Sequence, residues 1–514
     1  MLQQRRRRAR RVVVIGFGPV AARLVEELRP AVRDHRLQLL VVGSEPDPAY
    51  NRIMIGELAL GRTDRELMIM ADPEQLAADG VRLRLGTSVT AIDRERRYVT
   101  LDDGDEFAYD ALVFATGAAA RVPRLAGLAV QDSGEDARLP DGVAVLRDLS
   151  DADRVAAIVG AGRNVIILGG GVLGMEFALA AAGSGVRTSL VHTGRVPMER
   201  NLDQTAAAIV SRHLRRQDVT VIAQARAQGL RLTQGRFVGL QLADGREISG
   251  DGLVLCCGAE PRTGLARRAG ISCHNGILVD HDLRSISDRS IFAIGDCARI
   301  RCADENCAGC RAADAPSGLI GPGWAQASRV ARQLADPDDG RLTTNAPDEG
   351  GPVLTVKASG LSVVSAGAVD ADPLDSLLQD GELRVAQWSD PELSRYAKMI
   401  TRDGRLEGLI CVGLPRAAAE LTLLYERRAE LPSDRSALLR HDGPDQAMGT
   451  DPLGPEATVC RCAGVSAAEI VAAIGEGNAD LAAVGRATRA GTGCGTCKDR
   501  ICELLRNTPE VAVA

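Results

Sequence analysis

Two stretches of this chain repeat one grammar: a short apolar run, a glycine-rich turn, a helical stretch and a second apolar run. The first opens with RVVVIG from Arg11, turns through Gly16 to Ala21, and continues as VAARLVEELRP and LQLLVVGSE. The second restarts at Asn164 as NVIILGGG, then VLGMEFALAAAGSG, then VRTSLVHTG. Parallel strands buried on both faces are joined only by crossovers of a dozen or more residues, usually helical, so each stretch predicts a βαβ unit. The fold class that follows is α/β, built on two Rossmann-like halves.

The turns carry chemistry. Gly16-Phe17-Gly18-Pro19-Val20-Ala21 reads G-x-G-x-x-A directly between strand and helix. Gly16 permits the tight turn and Gly18 the close approach of a pyrophosphate, which then sits at a helix N-terminus. Glu45 closes the next strand, placed to accept from ribose hydroxyls; it lies 29 residues after Gly16, so the crossover is longer than the fingerprint's usual ~20. Arg52, just beyond, suits a contact on the flavin side. In the second unit Gly169, Gly171 and Gly174 complete G-x-G-x-x-G, and Glu176 follows on the helix, placed to orient a nicotinamide. Two dinucleotide sites in one chain imply hydride transfer from a nicotinamide to a flavin. No carboxylate closes the second unit's strand; His192 and Arg195 stand there instead. An arginine balances the 2′-phosphate of NADPH as readily as it sits solvated on a loop, so NADH and NADPH both stay open.

Composition narrows the partners. The chain has 514 residues, 62 Lys and Arg against 68 Asp and Glu, and a formal net charge of -6. That balance disfavours nucleic acid, which needs a concentrated positive field. The run Arg5 to Arg11 reads as a tail ahead of the first strand, since only Val12 to Ile15 follows it before glycines begin, too short for an export signal. No window approaches the ~20 apolar residues of a membrane span. These readings place the protein in the cytoplasm with no membrane partner.

The remaining text predicts four units: a discontinuous FAD-binding domain over 11–150 and 251–335, an NAD(P)-binding domain over 151–250, a small α+β interface domain over 352–440 and a small helical domain over 456–508. Residues 336–352 and 442–456 read as polar linkers. DALVFATG (110–117) and DGLVLCCG (251–258) look like paired counterparts, ending at Gly117 and Gly258. YAKMITRDGRLEGLICVG predicts a hairpin turning at Asp403-Gly404.

Eight of the thirteen cysteines fall in two clusters. Cys460, Cys462, Cys494 and Cys497 form C-x-C and C-x2-C, and four thiolates suit zinc or a [2Fe-2S] cluster. The tight C-x-C counts against zinc, and Gly491, Gly493 and Gly495 leave backbone N–H groups free for cluster sulfides. Cys297, Cys302, Cys307 and Cys310 are a candidate second site for another iron-sulfur cluster or zinc, with a loop disulfide or spare thiols as the alternative. Cys256, Cys257, Cys273 and Cys411 read as strand or core residues, and Cys502 as a buried apolar one.

With ATG (Ala115, Thr116, Gly117), GGGVLGME and IFAIGDCA, the first 335 residues resemble the two-dinucleotide-binding-domain flavoprotein reductases. The resemblance implies that Asp296 contacts the flavin ribityl chain and that a helix starting near Gly321 points its N-terminus at the isoalloxazine. Disulfide reductases of that superfamily carry a cysteine pair after the first acid, and residues 45–75 have none. TVCRCAGVSAAEI and VGRATRAGTGCGTC resemble the bacterioferritin-associated ferredoxin-like [2Fe-2S] domain. The order of units resembles the N-terminal half of the NAD(P)H-dependent assimilatory nitrite reductase large subunits. Ending at Ala514 without sirohaem domains, the chain is expected to resemble the electron-transfer component of assimilatory nitrate reductases, passing electrons to a separate catalytic subunit of nitrate or nitrite reductase. A flavin subunit of an amino-acid or opine dehydrogenase, and a non-catalytic redox sensor, are the alternatives.

Overall fold

The computed structural model describes residues 8–128, 139–161, 164–301, 307, 316, 318–336, 351–358, 360–373, 383–432, 434–439, 455, 457–460, 463–493, 495 and 497–508. Cys302, Cys310, Cys462 and Cys494 lie outside them, as does most of the linker expected at 336–352.

The first unit is a five-stranded parallel sheet in the order Ile291–Ala293, Ala111–Phe114, Arg10–Ile15, Leu37–Gly43, Arg82–Leu85. Val12, Val13 and Val14 are buried on both faces, which is why the run shows no alternation. The crossover helix Pro19–Arg33 turns Leu24, Val25 and Leu28 onto the sheet, and the helix Ile320–Ala335 packs alongside it.

The second unit is another five-stranded parallel sheet, in the order Val219–Ile222, Arg187–Val191, Asn164–Leu168, Gly252–Leu255, Val143–Val145. This corrects the expected boundaries at 151 and 250. Gly252–Leu255 pairs with Asn164–Leu168 and Val143–Val145 pairs with Gly252–Leu255, so both belong to the second sheet. The chain's return to the first unit therefore comes after Leu255.

The third unit is a five-stranded antiparallel sheet in the order Val353–Ala358, Leu361–Gly367, Arg405–Val412, Arg395–Arg402, Arg384–Asp390, backed by the helix Pro415–Glu426. The hairpin turns where the text says it should: Arg402 pairs with Arg405, and Asp403 and Gly404 both take positive φ, at 47° and 75°. Two positive φ values in a two-residue loop match the right-handed twist of the strands they join.

Three helices, Ala467–Gly475, Leu481–Thr488 and Lys498–Asn507, make the C-terminal unit. Ser466 and Glu469 form a reciprocal capping box at the first of them. Its core is continuous with the first unit: Trp324 lies in one apolar cluster with Cys460, Ile470, Val484, Cys497 and Ile501. The unit is thereby docked on the first βαβ turn, where Trp324 Nε1 donates to Pro19 O at 3.1 Å. Among the described residues no helix is long and apolar enough to cross a membrane.

Candidate functional site

The two glycine turns are cradles that a side chain would fill. Gly16 has φ +101°, and a Cβ there would lie 2.3 Å from Ala115 O. Gly18 caps the helix Pro19–Arg33. Ala21 is fully buried, so the smallness of that position serves packing of helix on sheet. In the second unit Gly169 has φ +125°, Gly171 caps the helix Val172–Gly183, and a Cβ on Gly174 would fall 1.9 Å from Gly169 O. Both turns therefore bring a helix N-terminus to bare backbone, the geometry that fits a pyrophosphate.

A single cavity of about 2660 Å³ joins the units. Gly16, Glu45, Thr116 and Asp296 line it from the first unit, and Val172, Leu173 and Glu176 from the second. Glu45 is anchored on both oxygens, by Arg52 and by the Tyr50 hydroxyl, the latter at 2.6 Å. Arg52 stacks over the Tyr50 ring at 4.7 Å and donates to Arg147 O at 3.3 Å. Burial, the Arg52 charge notwithstanding, pushes the Tyr50 phenol well above its ordinary range, so it acts only as a hydrogen-bonding group. Asp296 sits in a turn steadied by Gly295 N, which donates to Gln326 Oε1 at 2.7 Å. Ile320, Gly321 and Pro322, the first turn of the helix expected near Gly321, also line the cavity. A positive helix end there favours negative charge by ~0.3–1 kcal/mol.

Of the other expected residues, Gly117 lines the cavity beside Thr116, while Gly258, His192 and Arg195 lie away from it. Thr116 Oγ1 donates to Arg262 O at 2.9 Å, and Gly117 and Gly258 take positive φ, at 65° and 96°. Gly258 accepts from Arg121 N and is outside the cavity wall. His192 is buried beneath Gly170, whose added Cβ would lie 2.7 Å from its ring. Burial holds the His192 imidazole below its ordinary pKa, favouring the neutral ring. Arg195 is exposed, and neither it nor His192 lines the cavity.

Cys460 and Cys497 are buried and line the same cavity as the two nucleotide turns. Cys497 stands at the N-cap of the helix Lys498–Asn507, where the helix dipole favours thiolate. Cys460 and Cys497 share one apolar cluster and supply two of the four thiolates that an iron-sulfur centre takes, the soft donor type such a centre fits. Of the candidate second site, Cys297 and Cys307 lie among the described residues. Cys297 is fully buried in the first core, with Sγ 3.3 Å from Ile294 O and 3.5 Å from Phe114 O. Cys307 is half-buried, with Sγ 3.4 Å from His281 Nε2. Among the described residues no group of three or more His, Cys, Asp or Glu is arranged to hold a metal ion. Cys502, expected to be buried, is half-buried on the last helix.

Sequence reasoning missed Arg147. It follows the strand Val143–Val145, lines the cavity, and donates to Asp296 Oδ2 at 2.6 Å. Nothing in LRDLSD marks it, because its role depends on a partner far along the chain.

The profile of the pyridine nucleotide-disulphide oxidoreductases matches residues 10–316. The chain belongs to that family. The profile of the BFD-like [2Fe-2S] binding domain matches residues 458–507. This protein is thus an NAD(P)H-dependent flavin oxidoreductase carrying a [2Fe-2S]-binding domain, with FAD, NAD(P)H and the cluster as its cofactors. Along 97% of its length the chain is 27% identical to a nitrite reductase [NAD(P)H] of Bacillus subtilis, of which it covers 58%. Along 96% it is 25% identical to the assimilatory nitrate reductase electron transfer subunit of the same organism, of which it covers 59%. The chain therefore spans about three-fifths of the length of these relatives. The covalent putidaredoxin reductase–putidaredoxin complex superposes with a TM-score of 0.70 at 22% identity, covering 85% of this chain and 97% of that one, a likeness of fold.

Proposed function

We propose that this family member takes reducing equivalents from NADH or NADPH in the cytoplasm and delivers single electrons to a separate acceptor protein, the catalytic subunit of an assimilatory nitrate or nitrite reductase. The observation that carries the reading is continuity: the glycine turn of the first unit, the helix start of the second and two buried cysteines of the C-terminal unit line one cavity. FAD, when bound, supplies the conversion of a two-electron hydride into one-electron steps.

The chain's own residues hold and shield. Gly16, Gly18 and the start of the helix Pro19–Arg33 would bind one pyrophosphate, with Glu45 directed at ribose hydroxyls by Arg52 and Tyr50. Gly169, Gly171 and Gly174 would bind the other, and Glu176 reaches the cavity from that helix to orient a nicotinamide. Cys460, Cys462, Cys494 and Cys497 would hold the cluster. No side chain has to move a proton, so no acid or base is assigned. The names of the relatives, which include a nitrate reductase electron transfer subunit, favour nitrogen-oxide reduction as the destination of the electrons.

The test is metal, sulfide and flavin analysis of anaerobically purified protein with electron paramagnetic resonance after adding NADH or NADPH. One flavin and one spin-active [2Fe-2S] centre per chain are expected, and reduction of the nitrate reductase catalytic subunit on mixing. Zinc in place of iron, or a flavin that neither nucleotide bleaches, defeats the proposal.

A further inference from the structure

Asn51 belongs to the first unit, in the loop before the turn Arg52–Met54, yet its amide protons reach the C-terminal unit. Nδ2 donates to Thr492 O at 2.7 Å and to Gly493 O at 2.8 Å, the two residues directly before Cys494 in the sequence. Oδ1 accepts from Ile53 N at 3.2 Å, and the backbone N donates to Met68 O at 2.7 Å. The residue is fully buried. A carboxamide offers two protons and an acceptor oxygen, and here both ends of the group are engaged, one in its own unit and one in the other. Arg489, at the far end of the same loop, pairs with Glu26 of the helix Pro19–Arg33.

We propose that Asn51 is a positioning residue for electron delivery: it clamps the loop leading to Cys494 and Cys497 against the first nucleotide site. Apolar docking through Trp324 is non-directional and tolerates sliding. Two hydrogen bonds from one planar amide to successive carbonyls do not, because their strength falls steeply with misalignment. The amide also places partial positive charge beside the ligand loop, where it favours the more negative, reduced state of a centre held there. The inference rests on reading the C-terminal unit as a [2Fe-2S] domain.

The experiment uses the full chain with verified flavin and iron content. Asn51→Ser keeps an acceptor for Ile53 N, since serine caps as asparagine does, and is too short to span to Thr492 and Gly493. Asn51→Asp keeps the shape and replaces the donor with oxygen. With whichever of NADH or NADPH bleaches the unsubstituted protein, both variants are expected to bleach at its rate. Cluster reduction should slow by about tenfold or more, the scale of the two lost hydrogen bonds, and the midpoint potential of the cluster should fall. In iron-free protein, hydrogen exchange in peptides spanning 489–498 should quicken by about tenfold for the same reason. Glu26→Gln loosens the docking without touching the amide, and should leave the potential in place. Unchanged cluster reduction, potential and exchange in both Asn51 variants overturn the proposal, as does an equal potential shift in Glu26→Gln. Absence of iron and sulfide from the unsubstituted protein refutes instead the reading of the domain, and exchange at 489–498 then still decides whether the clamp exists.

Discussion

Arg147 and Asp296 meet at 2.6 Å across the wall of the cavity, although 149 residues of chain separate them. Arg147 arrives on the crossover from the strand Val143–Val145 of the second sheet, and Asp296 on the turn after the strand Ile291–Ala293 of the first. Both side chains are about a quarter exposed, so neither charge is fully screened. Asp296 thereby receives its orientation from the second unit. Arg147→Ala is expected to weaken FAD binding to the apoprotein about tenfold, ~1.4 kcal/mol, within the range of one charge-assisted hydrogen bond. Flavin titration by fluorescence quenching measures it; an affinity equal to that of the unsubstituted protein would show that Asp296 needs no partner.

The second cradle can be blocked without touching the first. A Cβ on Gly174 would lie 1.9 Å from Gly169 O and 3.3 Å from the Cys256 Cβ, both fixed by the sheet. Gly174→Ala must push the helix Val172–Gly183 off the strand Asn164–Leu168, costing about 1–3 kcal/mol of stability. The variant is expected to purify yellow, to bleach at the ordinary rate with dithionite, and to bleach at least ~10-fold more slowly with NADH and NADPH, as ~1.4 kcal/mol of lost binding implies. Loss of flavin on purification would instead place Gly174 in the service of the first site.

How far the text of the chain reached depends on the range of each interaction. The glycine turns, their helices and the Asp403-Gly404 hairpin are local, and neighbouring residues encode them by period and by tolerance of positive φ. Val143–Val145 and Gly252–Leu255 are local as strands, but which sheet receives them depends on pairing partners, and nothing within either run names its neighbour. That is why the boundaries at 151 and 250 moved. Arg147 with Asp296, and Asn51 with Thr492, are farther still from legible: polar residues in unremarkable loops acquire roles only when separate units dock. Cys297, the first member of the ligand-like spacing, is a core thiol, a placement that spacing alone does not show.

Lys398 tests the join between the second and third units. It is 3% exposed, donates to Asp203 Oδ2 at 3.0 Å and to Val369 O at 2.9 Å, and shares Asp203 with the Tyr396 hydroxyl at 2.5 Å. Asp203 also caps the helix Gln204–Arg216 through Ala206 N. Lys398→Met leaves a carboxylate under the sheet without its cation and should cost about 3–5 kcal/mol. Asp203→Asn added to it removes the stranded charge while asparagine still caps, so the double variant should recover part of the loss. Thermal unfolding of the three proteins measures the cycle, and equal midpoints for single and double variants would mean that the buried charge is not what the lysine answers.

Asp110 supplies a pH dependence whose sign is fixed by its partner. Arg11 donates to it three times, from Nε at 3.1 Å, from its other guanidinium nitrogen at 2.7 Å and from the backbone at 2.8 Å. These bonds hold the Asp110 carboxyl below its ordinary pKa against the opposing effect of burial. A carboxyl whose folded pKa is depressed stabilises the fold fully above its unfolded value of ~3.9 and ceases to do so as pH falls through the folded value. The side chain is about one-third exposed, which limits the contribution to ~1 kcal/mol or less after solvent screening. Relative to Asp110→Asn, the native protein should keep a constant stability advantage in urea unfolding from pH 7 to about pH 5, and lose it progressively from about pH 4 downward. An advantage that persisted undiminished to about pH 3 would mean that the bonds to Arg11 need no charge on Asp110, since protonation below ~3.9 would then cost nothing.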